Sequence, residues 1–387
     1  MKNLVLAIVG VSLALAGCAK KAPPPRIVEV PAQSFTRAWT AELQSKHNPV
    51  ERLYVREDLV FIYTHDRVVY VLDRNGGQLR HADFVVRPGS QLLPPVVLAT
   101  EIIYPATSTL EVYDRRGSKV RTINVGSPLR SGAIGAGRNI YVGTDASNGG
   151  RIAAIDLDRP YDPVRWELMT LGGLSAAPAL NAGVLYIGSE DGKVYAVNED
   201  REPVWTDLPG QVFATGGPIT GDVKADDTGV YVASHDSKLY VLDNHTGRIK
   251  WQYYATTPLS TGPLVTKDIV YLRVPSRGIV ALDKLAGDFN RKPKWIVPEA
   301  TDYLAEDEKF TYLRLRGNIL AAADKETGEI KFKSQRTDLD VFGVNTRDNI
   351  IYAATTTGEI VAIRPVLKPG TVGELVLERI EKLPLGG

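Results

Sequence analysis

Residues 241–251 read Val241-Leu242-Asp243-Asn244-His245-Thr246-Gly247-Arg248-Ile249-Lys250-Trp251. An apolar run ends on an aspartate, a polar Asn-His-Thr-Gly segment follows, and a second β-rich run carries a tryptophan. Asp, Asn and Gly stabilise tight turns, through side-chain acceptors and tolerance of positive φ, so the stretch reads as strand, turn, strand. The same construction recurs along the chain. The runs VYVLD, LEVYD, IAAID, VYAVN, LYVLD, IVALD, LAAAD and IVAIR end at Asp73, Asp114, Asp156, Asn198, Asp243, Asp283, Asp324 and Arg364. These anchors stand about 40 residues apart, and a period of that size marks a solenoid or a propeller.

Each repeat carries the same parts. Two residues before the anchor stands Val71, Val112, Ala154, Ala196, Val241, Ala281, Ala322 or Ala362, always Ala or Val. Upstream lies a second β-rich run with an aromatic, Phe61, Tyr104, Tyr141, Tyr186, Tyr231, Tyr271, Tyr312 or Tyr352. Turn residues such as Glu190-Asp191-Gly192 separate the two runs, as a hairpin requires. After the anchor a last strand carries Trp166, Trp205, Trp251, Trp295 or the substitute Phe332. Trp39 looks like that last strand but has no repeat before it, and the repeat anchored at Arg364 lacks its own. The two halves complete each other if the N-terminal strand finishes the last blade, which is how propellers hide sheet edges. The expected fold is all-β, an eight-bladed β-propeller of four-stranded antiparallel blades over residues 35–366.

The chain has 387 residues, 44% hydrophobic and 24% charged, with a formal net charge of +1. That composition is globular, and the charge balance gives no electrostatic reason for nucleic-acid binding. A single cysteine excludes an intramolecular disulfide and a Cys-based metal site.

That cysteine ends the stretch MKNLVLAIVGVSLALAGC, in which Lys2 precedes an apolar segment from Leu4 to Leu15. The segment is short for a bilayer span, which takes about 20 apolar residues, and fits the core of a secretory signal. Leu15-Ala16-Gly17-Cys18 resembles the lipobox of bacterial lipoproteins, which implies cleavage and lipidation at Cys18. Ala19 follows rather than the Asp that resembles an inner-membrane retention signal, implying an outer-membrane address on the periplasmic side. The expected organisation is a signal peptide over 1–17, a lipidated Cys18 with a Pro-rich tether over 18–34, the propeller, and a C-terminal extension over 367–387. Pro23-Pro24-Pro25 favours extended polyproline II, a semi-rigid spacer.

The pattern small-x-Asp-x-x-Thr-Gly-x-x-x-Trp, clearest at 241–251, resembles the tryptophan-docking (PQQ) repeat of quinoprotein-like propellers. The resemblance implies that the Trp of one blade docks near the small residue of a neighbouring blade. One branch of that superfamily, the quinoprotein dehydrogenases, implies a quinone, calcium and an adjacent cysteine pair, and this chain has no second cysteine. The other branch, the BamB family of lipoproteins in outer-membrane β-barrel assembly, is similar in lipobox, tether and eight repeats. It implies an envelope protein partner, a barrel-assembly component, met through a leucine- and arginine-containing inter-blade loop. The nearest counterpart here, Leu171-Gly172-Gly173-Leu174, lacks the arginine. The alternative is a propeller of the same build that binds another envelope partner, a glycan or a small ligand.

No catalytic, cofactor or metal residue is expected, and the propeller is expected to be a monomer. His65-Asp66 and His235-Asp236 occupy one turn position in repeats that are not neighbours, and turn chemistry accounts for both. The segment from Gly221 to Gly229 carries Asp222, Asp226 and Asp227, which read as a solvated insertion, with calcium as the alternative. First-to-second and third-to-fourth strand turns share one face of a propeller. Three long departures fall there: Asp222 to Asp227, Leu157 to Pro163, and Leu285 to Pro293. Their acids oppose Arg291, Lys292 and Lys294, so that face is the expected partner surface, since loops on a rigid scaffold commonly carry binding.

Overall fold

The computed structural model describes residues 33–43, 48–159 and 161–367; the expectations for residues 1–32 and 368–387, Cys18 among them, lie outside these. The described residues form eight four-stranded sheets, with every strand pair within them antiparallel. Blade 5 shows the plan: Lys224–Asp226, Gly229–Ser234, Lys238–Leu242 and Ile249–Tyr254 pair in sequence order. First strands of adjacent blades lie side by side, so they form the wall around the axis and the fourth strands form the rim.

The second and third strands read as nearly unbroken apolar runs because both faces of a blade are covered. Tyr231 and Ala233 pack toward blade 6, while Val230 and Val232, one residue out of phase, pack toward blade 4. Alternation of side chains along a strand supplies two buried faces. The core is accordingly divided into eight apolar clusters, one at each junction between blades.

The eighth sheet draws on both ends of the chain. Gln33–Glu42 pairs with Glu359–Leu367, which continues to Ile351–Ala354 and Val341–Gly343. Trp39 stands opposite Ala362, and Arg37 forms an ion pair with Glu359. Blade 1 packs on this sheet through Leu53, Val55 and Ile62 against Tyr352, Ala354 and Ile360. The strand begins at Gln33, two residues before the expected boundary.

The fifth repeat differs from the expected insertion. Lys224–Asp226 is the first strand of blade 5, and the turn beyond it is only Asp227-Thr228, since Asp226 pairs with Gly229. First strands are two or three residues long in blades 2–6 and 8. So short a strand has no apolar run to set it apart from a polar loop.

Candidate interaction surface

The repeat motif becomes a three-strand stack. Tyr271, Ala281 and Trp295 stand in register on successive strands of blade 6, and Tyr352, Ala362 and Trp39 do the same in blade 8. The rings meet over the small residue, with centroids 5.8 Å apart for Tyr271 and Trp295 and for Tyr186 and Trp205. Only Ala or Val at the centre leaves the rings room to touch. The small residue therefore belongs to the tryptophan's own blade. What the indole docks on in the next blade is the turn after its anchor: Trp39 donates to Arg74 O at 2.9 Å, Trp166 to Glu199 O at 2.7 Å, Trp205 to Asn244 O at 3.0 Å and Trp295 to Lys325 O at 2.9 Å. Gly77, Gly247 and Gly328 lie beneath three of these rings, where a Cβ would come within 2.4–2.6 Å of the indole. This corrects the docking site that the resemblance implied.

The anchors hold those turns. Asp243 Oδ1 accepts from the backbone N–H of His245 and Thr246, and Asp283 and Asp324 repeat the arrangement. Burial raises the Asp243 carboxyl, but the Thr246 bonds outweigh it and the group sits below the ordinary carboxylate value.

Two places depart from the stack. In blade 6 the turn runs from Leu285 to Pro293, and Gly287 meets nothing within 4 Å. Its far end returns to the rim of blade 5, where Gln252 N–H donates to Phe289 O and Arg291 N–H to Gln252 O, both at 2.8 Å. Asn290 thereby forms a parallel bridge with Gln252. Arg291 is buried with its guanidinium 4.7 Å from the Trp251 ring centre. The loop thus covers a sheet edge, and Arg291 is not available to a partner; Lys292 remains exposed. In blades 1 and 2 the tryptophan position holds His81, opposite Val71, and Arg121, opposite Val112. The missing Trp hid both from the motif, although His81 stands as far past Asp73 as Trp251 stands past Asp243. His81 packs on Gly117 of blade 2, and neither ring nitrogen has a hydrogen-bond partner among the described residues. Burial draws its pKa down, against the pull of Asp83 and Asp114. Tyr104 is also out of phase: it pairs with Glu111, and Ile103 faces Val112.

The expected acidic patch does not assemble. Asp226 ends the strand Lys224–Asp226, and Asp222 lies two residues before that strand begins. Asp222 accepts from Ala177 N–H at 3.1 Å and pairs with Lys224 at 3.3 Å. Asp226 bonds Lys284 of blade 6 at 2.6 Å, together with Thr228. Burial raises its carboxyl, yet Lys284 and Thr228 hold it below the ordinary value. Asp227 stays exposed at the turn. Among the described residues, no three His, Cys, Asp or Glu converge on a metal position. His65 bonds Glu51 at 2.7 Å, and His235 bonds Thr220 at 2.8 Å while Asp236 caps Gly216, Lys238 and Tyr240. Neither histidine bonds the aspartate beside it, and both pairs serve their turns.

On the opposite face the link from blade 3 to blade 4 presents apolar side chains from a fixed backbone. Met169 and Leu171 are 56% and 74% exposed, while Thr170 and Leu174 on either side are buried. Gly172 lies so close to blade 4 that a Cβ would come within 2.1 Å of the Asp191 nitrogen. Glu190 N–H donates to Gly173 O at 2.9 Å, and Thr170 Oγ1 donates to Gly172 O at 2.8 Å. Leu171 is therefore a preorganised apolar projection rather than the tip of a loose loop.

Eight four-stranded blades, in which a stack of aromatic, small residue and indole recurs and four of the indoles dock on the next blade's turn, define a propeller of PQQ-type repeats. A sequence profile of the family described as outer membrane protein assembly factor BamB matches residues 106–215 and 210–305, over half of the chain, and the chain belongs to that family. It is 30% identical over 137 residues to the outer membrane protein assembly factor BamB of Nitrosomonas eutropha, covering 33% of this chain and 32% of that protein. A segment of 109 residues is 26% identical to the Beta-alanine-activating enzyme of Mus musculus, covering 28% of this chain and 10% of the enzyme. These alignments span a third or less of the curated relatives' lengths. The crystal structure of BamB from Moraxella catarrhalis superposes with a TM-score of 0.64 at 17% identity, over 85% of this chain and 97% of that one. The computationally designed protein Ika8 superposes with a TM-score of 0.62 at 14% identity, over 84% and 98%. At such identities the likeness is one of fold, and a fold shared with a designed protein fixes no function.

Proposed function

We propose that the protein is a lipid-anchored scaffold, exported and held by Cys18 at the outer membrane, that serves β-barrel protein assembly by binding another envelope component. Membership of the assembly-factor family supports the class of function. The observation that carries the binding site is the exposed Leu171, with Met169 beside it, on a link whose glycines are seated against blade 4. Apolar anchors on rigid backbone bind with little ordering cost. The reading is of a scaffold and not an enzyme: the His-Asp pairs are engaged in turns, and the clustered acids are paired or dispersed.

A photo-crosslinking residue at Leu171, in cells of the native host, should capture a barrel-assembly component from detergent-solubilised envelope. Leu171→Asp should lose that capture with the melting temperature unchanged. Capture that is undiminished in Leu171→Asp moves the surface elsewhere, and normal outer-membrane barrel levels after depletion of the protein would sink the assembly role.

A further inference from the structure

The wall around the axis is charged unevenly. On the eight first strands, Glu51 pairs with His65 and Arg67, Lys224 with Asp222, Asp226 with Lys284, Asp302 with Arg314 and Glu306 with Lys325. The other charged residues of these strands are Arg52 and Arg56 of blade 1, and neither has a carboxylate partner among the described residues. They alternate with Tyr54 on the side of the strand opposite Leu53 and Val55, which pack toward blade 8. Both arginines are exposed residues, and the Arg56 guanidinium lies 5.7 Å from the Tyr54 ring centre. The Tyr54 hydroxyl has no hydrogen-bond partner among the described residues.

Arg56 is open to solvent, yet lost solvation pulls its pKa down, and the carboxylate whose field reaches it is Asp222 of blade 5. The two sides of this wall strand are covered by blade 8, through Leu53 and Val55, and by blade 2, through the cluster that Tyr54 packs on, so its exposed side chains open on the axial channel. The Arg56 guanidinium itself donates to Val55 O at 3.0 Å, and its remaining donors have no partner among the described residues. An arginine offers five N–H donors and no acceptor, and its planar fork matches an oxyanion in a bidentate way.

We propose that the axial channel binds an oxyanion, carboxylate or phosphate, through Arg56 and Arg52, with the Tyr54 hydroxyl as a third donor. The two arginines stand four residues apart on an extended strand, about 13 Å between their Cα atoms. Long side chains let both reach one anion between them or hold the two ends of a longer dianion. This site is separate from the Leu171 link and does not depend on the assembly role.

Titration calorimetry on the purified full-length protein at low salt, with inorganic phosphate and with succinate, tests it. Saturable binding of either probe is expected, accompanied by a rise in melting temperature. Phosphate alone or succinate alone names the anion class; both together name a general oxyanion site. Arg56→Gln should weaken binding about tenfold or more, the scale of a lost charge-assisted hydrogen bond, and Arg52→Gln should also weaken it. Tyr54→Phe, which keeps the ring in place, should weaken it by about fivefold. Arg116→Gln, an exposed arginine on the rim of blade 2, should leave it unchanged. No saturable binding by either probe, undiminished binding in folded Arg56→Gln, or an equal loss in Arg116→Gln each overturns the proposal.

Discussion

The Arg291 guanidinium lies 4.7 Å from the centre of the Trp251 ring, joining a turn of blade 6 to the outer strand of blade 5. Trp39, Trp205 and Trp295 rest on a glycine of the next blade; here the cation takes the place of that turn. Arg291→Ala should destabilise the fold by about 2 kcal/mol, through the lost cation–π contact and the packing of its stem. Lys292→Ala, on the exposed neighbour, should stay within about 0.5 kcal/mol. Urea unfolding of both variants checks the contrast, and equal effects would mean that the loop has no structural task.

Gly247 and Gly287 stand in corresponding turns and should respond oppositely to a methyl group. Gly247 has φ +69°, and a Cβ there would come within 2.5 Å of the Trp205 ring. Gly247→Ala should cost about 2 kcal/mol or more, combining left-handed strain with a contact that a buried ring cannot relieve. Gly287→Ala meets open space and should be neutral or gain about 0.5 kcal/mol from the unfolded chain. Thermal melts of the two proteins give the comparison.

His81 occupies a tryptophan position without a tryptophan's hydrogen bond. His81→Trp should stabilise blade 1 by about 1 kcal/mol, as an indole can donate to Arg115 O and bury more area over Gly117. The pH response should change as well. The folded state holds His81 below its unfolded value of about 6.5, so the unfolded chain takes up the proton first. Stability is complete above that unfolded value and falls as pH drops toward the lower folded value. Replacing the imidazole should remove that part of the acid loss; an unchanged stability profile between about pH 7 and pH 5 would refute the assignment.

Lipidation at Cys18 makes a separate expectation. Cys18→Ala should leave an unprocessed or soluble precursor, since acyl chains contribute about 0.8 kcal/mol of membrane affinity for each buried CH₂. Fractionation shows where the variant goes, and mass spectrometry of membrane-purified wild type showing an unmodified thiol would end the idea.

The sequence displayed the blades clearly because their second and third strands are buried on both faces and repeat eight times. Phe61, Tyr231 and Tyr312 fell in phase with Val71, Val241 and Ala322 by spacing alone. The inner wall was hidden for a physical reason. Lys224–Asp226 is three residues long and borders the channel, so polarity there looked like a loop. Asp222 and Asp226 were grouped by sequence distance, although Asp222 bonds Ala177 beside blade 4 and Asp226 bonds Lys284 of blade 6. Arg291 reached Trp251 across a blade junction, a contact that no local pattern announces. The Leu171 link did leave a signal: paired glycines between two repeats, beside the Glu190-Asp191-Gly192 turn on which they sit.

Blade 8 takes its rim strand from the opposite end of the chain, and Arg37 and Glu359, which pair across it, are 322 residues apart in sequence. Doubling a loop of that kind adds only about 0.6 kcal/mol of closure entropy, so the cost at equilibrium is small. The consequence is one of timing. A chain is synthesised progressively from its N-terminal side, and this first strand has no partner until the final repeat has emerged. Until then both the unfinished last sheet and the waiting strand present open edges, and contacts this distant in sequence form slowly. A chaperone that shields the early strand, or attachment of the N-terminus to a membrane that keeps nascent copies apart, would act on that interval and leave the finished molecule unchanged.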